Sequence, residues 1–304
     1  MFAPCSLAAW PTPLEVQPAL ARALGLRALW LKREDLAGGN KIRGLEFLLS
    51  GAPPRSVFLT IGGEGSSHAL ATARAAKAQG HRTAVASFAQ PETDASRRVS
   101  GATASTANVV VRASGVWTLP WALLRAWRAA QRLGGGGRPL WIPGGGADPR
   151  AVIGHFLATL ELRAQLDAPP DAIVVPLGTG STAAGIALGV AWLRWSTRVV
   201  GVRVASRVVA NRWRTLRLAR KASATIRQAG LEFDVPRSSI LVEVVDAMGR
   251  GYGHPTPEGE KARALAAAHD VRLDPTYGAK AFSIVMSSTY PAPRTVFWHT
   301  FAWP

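Results

Sequence analysis

Short apolar runs alternate with helical patterns along most of this chain, and this alternation limits the folds it can adopt. The apolar runs are rich in Val, Ile, Leu and Phe, as strands are, and several of them end at glycine or serine. Some of the helical patterns between them also end at glycine. We predict strands at residues 28–34, 56–63, 82–88, 106–112, 171–178, 197–206 and 294–300, and helices at 42–49, 66–80, 117–137 and 182–195.

Strands that alternate with helices predict an α/β fold with twisted, mostly parallel sheets and helices on both faces. Ligands of such sheets bind at the carboxyl ends of the strands, on the loops that follow them. The loops of interest are therefore 35–41, 62–68, 143–147 and 178–182, together with the end of the last strand near residue 300.

The segment from Ala172 to Leu193 contains no charged residue and is long enough to span a bilayer. It also contains Pro176, Gly178 and Gly180, which disfavour one continuous helix. We interpret the segment as a buried strand, a tight loop and a buried helix, and we expect no membrane span.

The chain has 304 residues and is 48% apolar, enough for one large domain or two closely joined ones. Its formal charge of +17 is compatible with an anionic partner, and residues 194–227 alone carry ten Lys or Arg. Because no nucleic-acid-binding signature accompanies the charge, we do not expect a nucleic-acid partner. Cys5 is the only cysteine, which excludes an internal disulfide and a cysteine-based zinc site, and the N-terminus resembles no signal peptide. We therefore expect a cytoplasmic protein.

Lysine is scarce here, with six Lys against 30 Arg, yet Lys41 follows two glycines and Asn40 where a helix is predicted to begin. The positive end of a helix and apolar neighbours both disfavour a charged amine. We expect a lowered pKa and more free amine, which a Schiff-base lysine requires. An ordinary solvated lysine remains the alternative from these residues alone.

A second candidate site lies where the strand 171–178 meets the next helix. Its residues are Gly178, Thr179, Gly180, Ser181 and Thr182. Their backbone N–H groups, their hydroxyls and the helix dipole suit a phosphate. The loop also fits the G-x-G-x-x-A dinucleotide fingerprint, but the next strand lacks the acid that would bind a ribose, so Arg203 or Arg207 would have to bind the 2′-phosphate of NADP. That dinucleotide site and a plain tight turn both remain open.

Ser66, Ser67 and His68 begin the helix 66–80 after a glycine-rich turn of a size suited to a carboxylate. Helix capping alone would also explain the serines. Ser66 and His68 do not form a hydrolase pair, because residues two apart on a helix do not face each other. Tyr252 and Tyr277 lie near glycine or proline in loops, where a phenol can transfer protons, bind a substrate carboxylate or simply pack under a turn.

These motifs follow one another as "REDL-x-GGNK-x-R", "GG-x-x-S-x-H", the loop at 178–182, "DP-x-Y-x-x-K" and a terminal "FWHT". From about Leu29 to Thr300 the chain resembles the pyridoxal-phosphate enzymes of the tryptophan-synthase-β-like fold, fold type II. It is most similar to the 1-aminocyclopropane-1-carboxylate (ACC) deaminase and D-cysteine desulfhydrase group. The resemblance implies a large cofactor-binding domain from residues 1–44 and 158–304, with a small domain inserted at 45–157.

The resemblance also implies the role of each matching residue. Lys41 would hold pyridoxal 5′-phosphate as a Schiff base, Asn40 would help to shape its loop, and Thr300 would meet the pyridine nitrogen. The loop 178–182 would hold the cofactor phosphate. Substrate binding is assigned to Ser66, Ser67 and His68, and catalysis to Lys41, Ser66, Tyr252 and Tyr277.

Three residues depart from the family pattern. Ser67 stands where an asparagine usually contacts the ring oxygen of the cofactor. Ser181 makes the phosphate loop Gly-Thr-Gly-Ser-Thr where G-S-G-G-T is usual, and its side chain would either crowd the phosphate or add a hydroxyl. Gly278 follows Tyr277 where true ACC deaminases have glutamate, which argues against opening of a cyclopropane ring.

We therefore predict a pyridoxal-phosphate-dependent deaminase or lyase that acts on a small amino acid. The predicted reaction is a β-elimination like that of D-cysteine desulfhydrase, which gives ammonia and a 2-oxo acid. The alternatives are a degenerate homologue that binds the cofactor without turnover, and an NADP-dependent oxidoreductase that uses residues 178–183. We expect a homodimer, as its relatives suggest, and no metal.

Overall fold

The computed structural model of the protein describes residues 3–287 and 292–304. Ten strands and ten α-helices are found in these residues. The strands are β1 (Leu14–Val16), β2 (Ala28–Arg33), β3 (Val57–Gly63), β4 (Arg82–Phe88), β5 (Val109–Ala113), β6 (Leu140–Ile142), β7 (Ala172–Leu177), β8 (Arg198–Arg203), β9 (Glu243–Asp246) and β10 (Arg294–His299). The helices are α1 (Pro18–Ala23), α2 (Lys41–Leu49), α3 (Ser67–Ala78), α4 (Asp94–Thr106), α5 (Leu119–Leu133), α6 (Pro149–Gln165), α7 (Ser181–Trp192), α8 (Arg212–Gln228), α9 (Pro257–Ala267) and α10 (Gly278–Val285).

A six-stranded sheet has the order β1-β2-β10-β7-β8-β9, and only its edge strand β1 is antiparallel to its neighbour. Side chains of the central strand β10 alternate between two apolar layers: Val296 and Trp298 enter one, and Phe297 enters the other. The first layer includes residues of α6, α7 and α8, and the second includes residues of α1, α9 and α10. Both faces of this sheet are therefore covered by helices, as parallel strands require.

A four-stranded, fully parallel sheet has the order β5-β4-β3-β6. Phe58 of β3 packs with α2 and α3 on one face, and Leu59 packs with α5 on the other. The predicted α/β fold with mostly parallel sheets is thus confirmed. Strands of this sheet all lie between residues 57 and 142, and the other sheet takes its strands from residues 14–33 and 172–299. The division of the chain into two domains stays a prediction.

Close helix packing next to the six-stranded sheet depends on glycines. A Cβ at Gly185 of α7 would lie 2.4 Å from the Cβ of His155 in α6, and one at Gly189 would lie 2.5 Å from the Cβ of Thr159. A Cβ at Gly154 would lie 2.2 Å from the backbone oxygen of Arg43 in α2. No larger residue fits at these three points without moving a helix, so the position of α2 is tied to α6 and α7.

The predicted strands and helices are present, with ends that differ by a few residues. The segment 172–193 forms β7, a tight loop and α7, as predicted, and no helix among the described residues is long and apolar enough to cross a membrane. Several elements were not predicted, namely β1, β6, β9, α1, α4, α6, α9 and α10. Helix α4 ends at Thr106, where the strand 106–112 was expected to begin. Its start is a capping box in which Thr93 and Ser96 bond each other's backbone N–H. Serine in place of the usual Glu or Gln at the third helical position makes that signal weak in the sequence.

Candidate active site

The loops at the carboxyl ends of both sheets meet at a cavity of about 480 Å³. Ten of the residues assigned from sequence line it: Asn40, Lys41, Ser66, Ser67, His68, Gly178, Thr179, Tyr252, Tyr277 and Thr300. Gly180, Ser181 and Thr182 are buried beside it and do not belong to its lining. All five rim segments expected from sequence contribute lining residues: 35–41, 62–68, 143–147, 178–182 and the end of the last strand at Thr300.

Lys41 is the first residue of α2, and two glycines with positive φ lead into it. Gly38 has φ +82° and Gly39 has φ +95°, and a Cβ at Gly39 would lie 3.2 Å from the backbone oxygen of Thr300. The tight approach of this loop to the end of β10 therefore requires glycine. Asn40 then connects three rim segments, since its backbone N–H donates to the Thr300 oxygen (3.1 Å) and its side-chain amide donates to Thr182 Oγ1 (2.7 Å).

A buried ionic network fixes the opposite side of α2. Arg43 donates to both carboxylate oxygens of Glu34 at 2.6 and 2.9 Å and to both of Glu161 at 2.8 and 2.7 Å. Lys32 donates to the backbone oxygen of Thr12 (2.8 Å) and to Gln165 Oε1 (2.8 Å), and it lies 3.4 Å from Glu161. Lys32, Glu34 and Arg43 are at most 2% exposed. The network joins β2, α2 and α6, so it holds the helix that begins with Lys41.

The Lys41 amine faces the cavity, and no carboxylate among the described residues forms an ion pair with it. Loss of hydration lowers the pKa of Lys41 to about 8, because burial penalises the charged amine. A lysine of ordinary pKa is almost fully protonated at neutral pH, whereas this one is partly free amine. The lowered pKa agrees with the expectation from sequence, and Lys41 lines the cavity.

The start of α3 forms a second part of the cavity wall. Ser66 is the N-cap, and its hydroxyl accepts from the N–H of Ala69 at 3.3 Å. The hydroxyl of Thr60 donates to the backbone oxygen of Ile142 (2.9 Å), so the 3.0 Å contact between Thr60 and His68 Nε2 is an N–H of the ring donating to Thr60. Burial, and then the nearby Lys41, lower the pKa of His68 to about 3. His68 is therefore a neutral ring committed to Thr60, and the helix N-terminus with its serines remains for an anion.

The loop between β7 and α7 offers backbone N–H groups, and not side chains, to an anion. Gly180 has φ +99° and caps α7 without a side-chain hydrogen bond. Thr179 Oγ1 donates to the backbone oxygen of Gly145 at 3.3 Å, and Ser181 Oγ donates to that of Gly146 at 2.7 Å. The Ser181 hydroxyl thus donates to the 144–146 loop, and the effect of this side chain on the phosphate stays a prediction. Anion binding here falls to the N–H groups at the start of α7.

Tyr252 and Tyr277 meet at the cavity, where their hydroxyl groups hydrogen-bond to each other. The buried Asp274 fixes Tyr277, because its carboxylate accepts from the backbone N–H of Thr276 (3.0 Å), Tyr277 (2.7 Å) and Gly278 (2.8 Å). The buried Lys280 donates to the backbone oxygens of Met248 (2.7 Å) and Gly251 (3.2 Å), next to Tyr252. The segment "DP-x-Y-x-x-K" therefore positions both phenols.

Burial keeps both phenols protonated. It raises the pKa of Tyr252 to about 12, and it raises that of Tyr277 well above the usual value. At neutral pH the pair can donate hydrogen bonds or protons to a ligand, and it does not act as a phenolate base.

Sequence reasoning missed part of the lining. Apolar walls come from Ile61, Phe88, Pro176, Val209 and Phe301, and further lining from Gly62, Gly63, Gly144, Gly145, Ala205 and Ser206. The four glycines belong to the loops 62–68 and 143–147, which the rule that ligands sit at strand ends had selected, and most of the other residues also end a strand or follow one. Their types gave no chemical signal, which is why they were not named. Arg43 and Glu34 were missed because a buried ion pair cannot be distinguished from solvated charges in a sequence.

Comparison with known proteins decides the family. The family model described as "Pyridoxal-phosphate dependent enzyme" matches residues 5–300. This chain belongs to that family. Pyridoxal phosphate is accordingly its cofactor, as predicted.

Individual relatives cover nearly the whole chain. The nocardicin C-9′ epimerase of Nocardia uniformis subsp. tsuyamanensis is 36% identical over 91% of this chain and 87% of its own. A protein of Pyrococcus furiosus, provisionally named 1-aminocyclopropane-1-carboxylate deaminase, is 30% identical over 92% of this chain and 85% of its own. The crystal structure of an "ACC deaminase homologue" superposes with a TM-score of 0.81 at 27% identity, over 99% of this chain and 92% of that one.

The site fits the cofactor on its own geometry. The Lys41 amine lacks an ionic partner in the described chain, the start of α7 lacks a side-chain cap, and the Thr300 hydroxyl lines the same cavity. These groups match, in turn, an aldehyde, a phosphate and a ring nitrogen.

The NADP alternative is not favoured. Arg203 and Arg207, which would have to bind a 2′-phosphate, both pair with Asp246 at 2.9 and 3.1 Å. The similarity of the whole chain to pyridoxal-phosphate enzymes points in the same direction.

Proposed function

We propose that this protein is a pyridoxal-phosphate-dependent deaminase or lyase that acts on a small amino acid. One observation carries the proposal: Lys41, with a pKa of about 8 and no ionic partner among the described residues, lines a cavity together with the start of α3 and the loop that leads into α7. One helix start suits the cofactor phosphate and the other suits the substrate carboxylate.

When bound, the cofactor withdraws electrons from the substrate and so makes its Cα proton acidic. The proposed roles of the protein groups follow from their protonation states. The partly free Lys41 amine removes the Cα proton. The start of α3, with Ser66, Ser67 and the N–H groups of its first turn, holds the carboxylate. Thr300 meets the ring nitrogen, and Gly178–Thr182 hold the phosphate.

The two phenols are proposed as donors. Because Tyr252 and Tyr277 stay protonated, Tyr277 can give a proton to a leaving group on Cβ, with Tyr252 orienting its hydroxyl. Loss of the Cα proton and of the Cβ group yields an enamine, which water converts to a 2-oxo acid and ammonia. If the leaving group is a thiol, as in D-cysteine, sulfide is the third product.

Opening of the ACC ring is not part of the proposal. A Cβ at Gly278 would lie 3.0 Å from a carboxylate oxygen of Asp274, the residue that fixes this turn. The glutamate of true ACC deaminases would crowd that carboxylate here. The similarity to the Pyrococcus protein therefore supports the fold and the cofactor chemistry more strongly than it supports its substrate.

The test is spectral and chemical. Purified protein loaded with pyridoxal phosphate should have a visible absorption band, and borohydride should fix the cofactor to Lys41, as read by peptide mass spectrometry. Ammonia and a 2-oxo acid should then form from one or more members of a panel of D- and L-amino acids. Loading without product from any amino acid would instead identify a degenerate, non-catalytic homologue.

A second candidate is epimerisation at Cα, favoured by the 36% identity to an epimerase. It begins with the same removal of the Cα proton by Lys41 and ends with return of a proton to the opposite face, where a phenol could supply it. The two reactions differ in product. An epimerase would interconvert enantiomers without releasing ammonia, which chiral chromatography of the same incubations measures.

Three further expectations belong to this proposal. The residues 1–44 and 158–304 are proposed as a large cofactor-binding domain and 45–157 as an inserted small domain; residues 1, 2 and 288–291 of these ranges lie outside the described part. The lone Cys5 is consistent with a reducing cytoplasm. A homodimer is proposed from the resemblance, and sedimentation equilibrium tests it.

A further inference from the structure

We propose that the small amino-acid substrate has an uncharged side chain, and that this side chain binds against Phe88. The inference rests on the proposed function and specifies its substrate class. It depends on which groups line the cavity and on the aromatic corner formed by the ends of β3 and β4.

The cavity offers no counter-ion for a charged substrate side chain. In residues 3–287 and 292–304, its lining includes no Asp, Glu or Arg, and Lys41 is its one cation, engaged with the cofactor. The other basic side chain, His68, is neutral and bonded to Thr60. A charged side chain brought into this site would lose hydration without gaining a partner, and that loss is costly.

Glu64 and Asp274 are close in sequence to residues that line the cavity, but their carboxylates interact with other groups. Glu64 follows the end of β3, but its carboxylate lies 3.7 Å from Arg112 and is not part of the cavity lining. Asp274 lies under Tyr277 and is buried, with both oxygens accepting backbone N–H groups. Neither is available to a basic substrate.

Phe88 lies at a corner of the cavity where the ends of β3 and β4 meet Tyr252. In the parallel ladder Gly63 is paired with Phe88, and a Cβ at Gly63 would lie 2.2 Å from Gln90 Oε1 and 3.2 Å from a ring carbon of Tyr252. The missing side chain therefore makes room first for the Gln90 amide and then for the Tyr252 ring. The Tyr252 ring centroid lies 6.5 Å from that of Phe88 and 5.9 Å from that of Tyr277. Ile61 lines the cavity from the same strand as Gly63.

This arrangement places the Phe88 ring and the aliphatic Ile61 next to the two phenols, of which Tyr277 is the proposed proton donor to the group on Cβ. A substrate side chain leaving Cα toward those phenols would contact the rings, which favour apolar and aromatic groups. The proposed binding site for the side chain is therefore the corner of Ile61, Phe88, Tyr252 and Tyr277.

The first experiment uses the wild-type holoenzyme. The visible band is titrated with both enantiomers of phenylalanine, leucine, aspartate and lysine, none of which carries a leaving group on Cβ, so that binding is measured without β-elimination. Phenylalanine or leucine of one configuration should perturb the band with a dissociation constant at least roughly 100-fold lower than those of aspartate and lysine. Aspartate or lysine binding as tightly as the neutral amino acids would overturn the proposal.

The second experiment tests whether a positive charge at position 88 changes the preference between neutral and acidic amino acids. Phe88→Arg should supply the missing counter-ion and improve aspartate binding relative to phenylalanine by about tenfold or more. Ala89→Arg is the matched control, since Ala89 is the next residue, is exposed and does not line the cavity. If both variants keep the wild-type preference, Phe88 does not contact the side chain.

These outcomes are separable from failure of the proposed function. Absence of the visible band or of a Lys41 adduct rejects the cofactor chemistry itself. A normal band with preference for charged amino acids rejects only the substrate class. Should Phe88→Arg fail to load cofactor, the wild-type titration still decides.

Discussion

Arg43 and Lys41 are two residues apart at the start of α2, yet they lie in opposite surroundings. Arg43 is 2% exposed, and two carboxylates neutralise it with four hydrogen bonds. Lys41 faces the cavity, and no carboxylate in the described chain pairs with it. One short helix therefore carries a fully paired ionic network on its inner side and an unpaired amine on its outer side.

Two other lysines show why burial alone does not make an amine reactive. Lys32 also has a pKa lowered by burial, but its amine bonds Thr12 and Gln165 and lies beside Glu161. Burial likewise lowers the pKa of Lys280 to about 8, while its amine bonds two backbone oxygens. Of the three, Lys41 alone combines a lowered pKa with access to the cavity. The paired inner network around Arg43 therefore positions the helix, and the unpaired Lys41 amine is the reactive group.

Replacement of the outer amine should have the largest effect. Lys41→Arg keeps a positive charge but cannot form an imine or act as a base, because guanidinium does not lose its proton. We expect activity to fall by roughly 1,000-fold or more and the borohydride-fixed adduct to disappear. Lys77→Arg, on the exposed side of α3, should change neither. An adduct that persists in Lys41→Arg would show that another residue holds the cofactor.

Disruption of the inner network should act on stability. Arg43→Met leaves Glu34 buried without its cation, and the free energy of unfolding should fall by about 3–5 kcal/mol. The measurement is urea unfolding of the cofactor-free protein, since bound cofactor would add its own stabilisation. In contrast, Arg98→Met removes an exposed pair with Asp94 and should cost less than about 1 kcal/mol. Equal losses in the two variants would contradict the distinction between network and surface pair.

Local patterns were enough to predict the alternation of strands and helices, the loop positions and Lys41. Each depends on residues close together in the chain: an apolar run before glycines, a serine cap, or a lysine at a helix start. The order of strands was not accessible in this way, because β10 lies between β2 and β7, far from both in sequence. The resemblance, and not the periodicity, supplied the expectation that both ends of the chain build one domain.

The hydrogen-bond partners of the site residues were the least predictable part. His68 could be placed near the substrate from its motif, but its bond to Thr60 and its neutral state depend on β3 and on Ile142 of β6. Ser181 is a similar example, since its acceptor, the oxygen of Gly146, belongs to a loop 35 residues away. Such partners are set by tertiary packing, which no local pattern encodes.

The paired phenols allow a smaller test of the outer side of the site. Tyr277→Phe should lower kcat by about 100-fold, because the proposed proton donor is lost. Tyr252→Phe should lower kcat by only about tenfold, since it removes the hydrogen-bond partner that orients Tyr277. Steady-state kinetics should show both changes in kcat more than in KM. A larger effect of Tyr252→Phe would reverse the two roles.

The mildest perturbation is pH, and it tests the Lys41 amine without changing a side chain. With a pKa of about 8, Lys41 should bind cofactor about tenfold faster for each pH unit up to 8 and level off above it. An ordinary lysine would keep accelerating to beyond pH 10. Stopped-flow absorbance of cofactor uptake by the cofactor-free protein measures the midpoint.

The free energy of unfolding of the cofactor-free protein should also depend on pH at values above the Lys41 pKa of about 8. The folded-state pKa of Lys41, about 8, lies below the ordinary lysine value of 10.5, so the unfolded state binds more protons between these two values. Stability of the cofactor-free protein should therefore rise as pH increases from about 8 toward about 9.5, and fall as pH drops through that window. At higher pH the raised pKa values of Tyr252 and Tyr277 oppose this rise, because the unfolded state then loses phenol protons that the folded state keeps. Lys280 titrates in the same direction, so the slope has at least two sources. Lys41→Met should flatten the slope and leave the Lys280 part, and an unchanged slope in that variant would mean that the Lys41 amine is as well hydrated in the fold as in the unfolded chain.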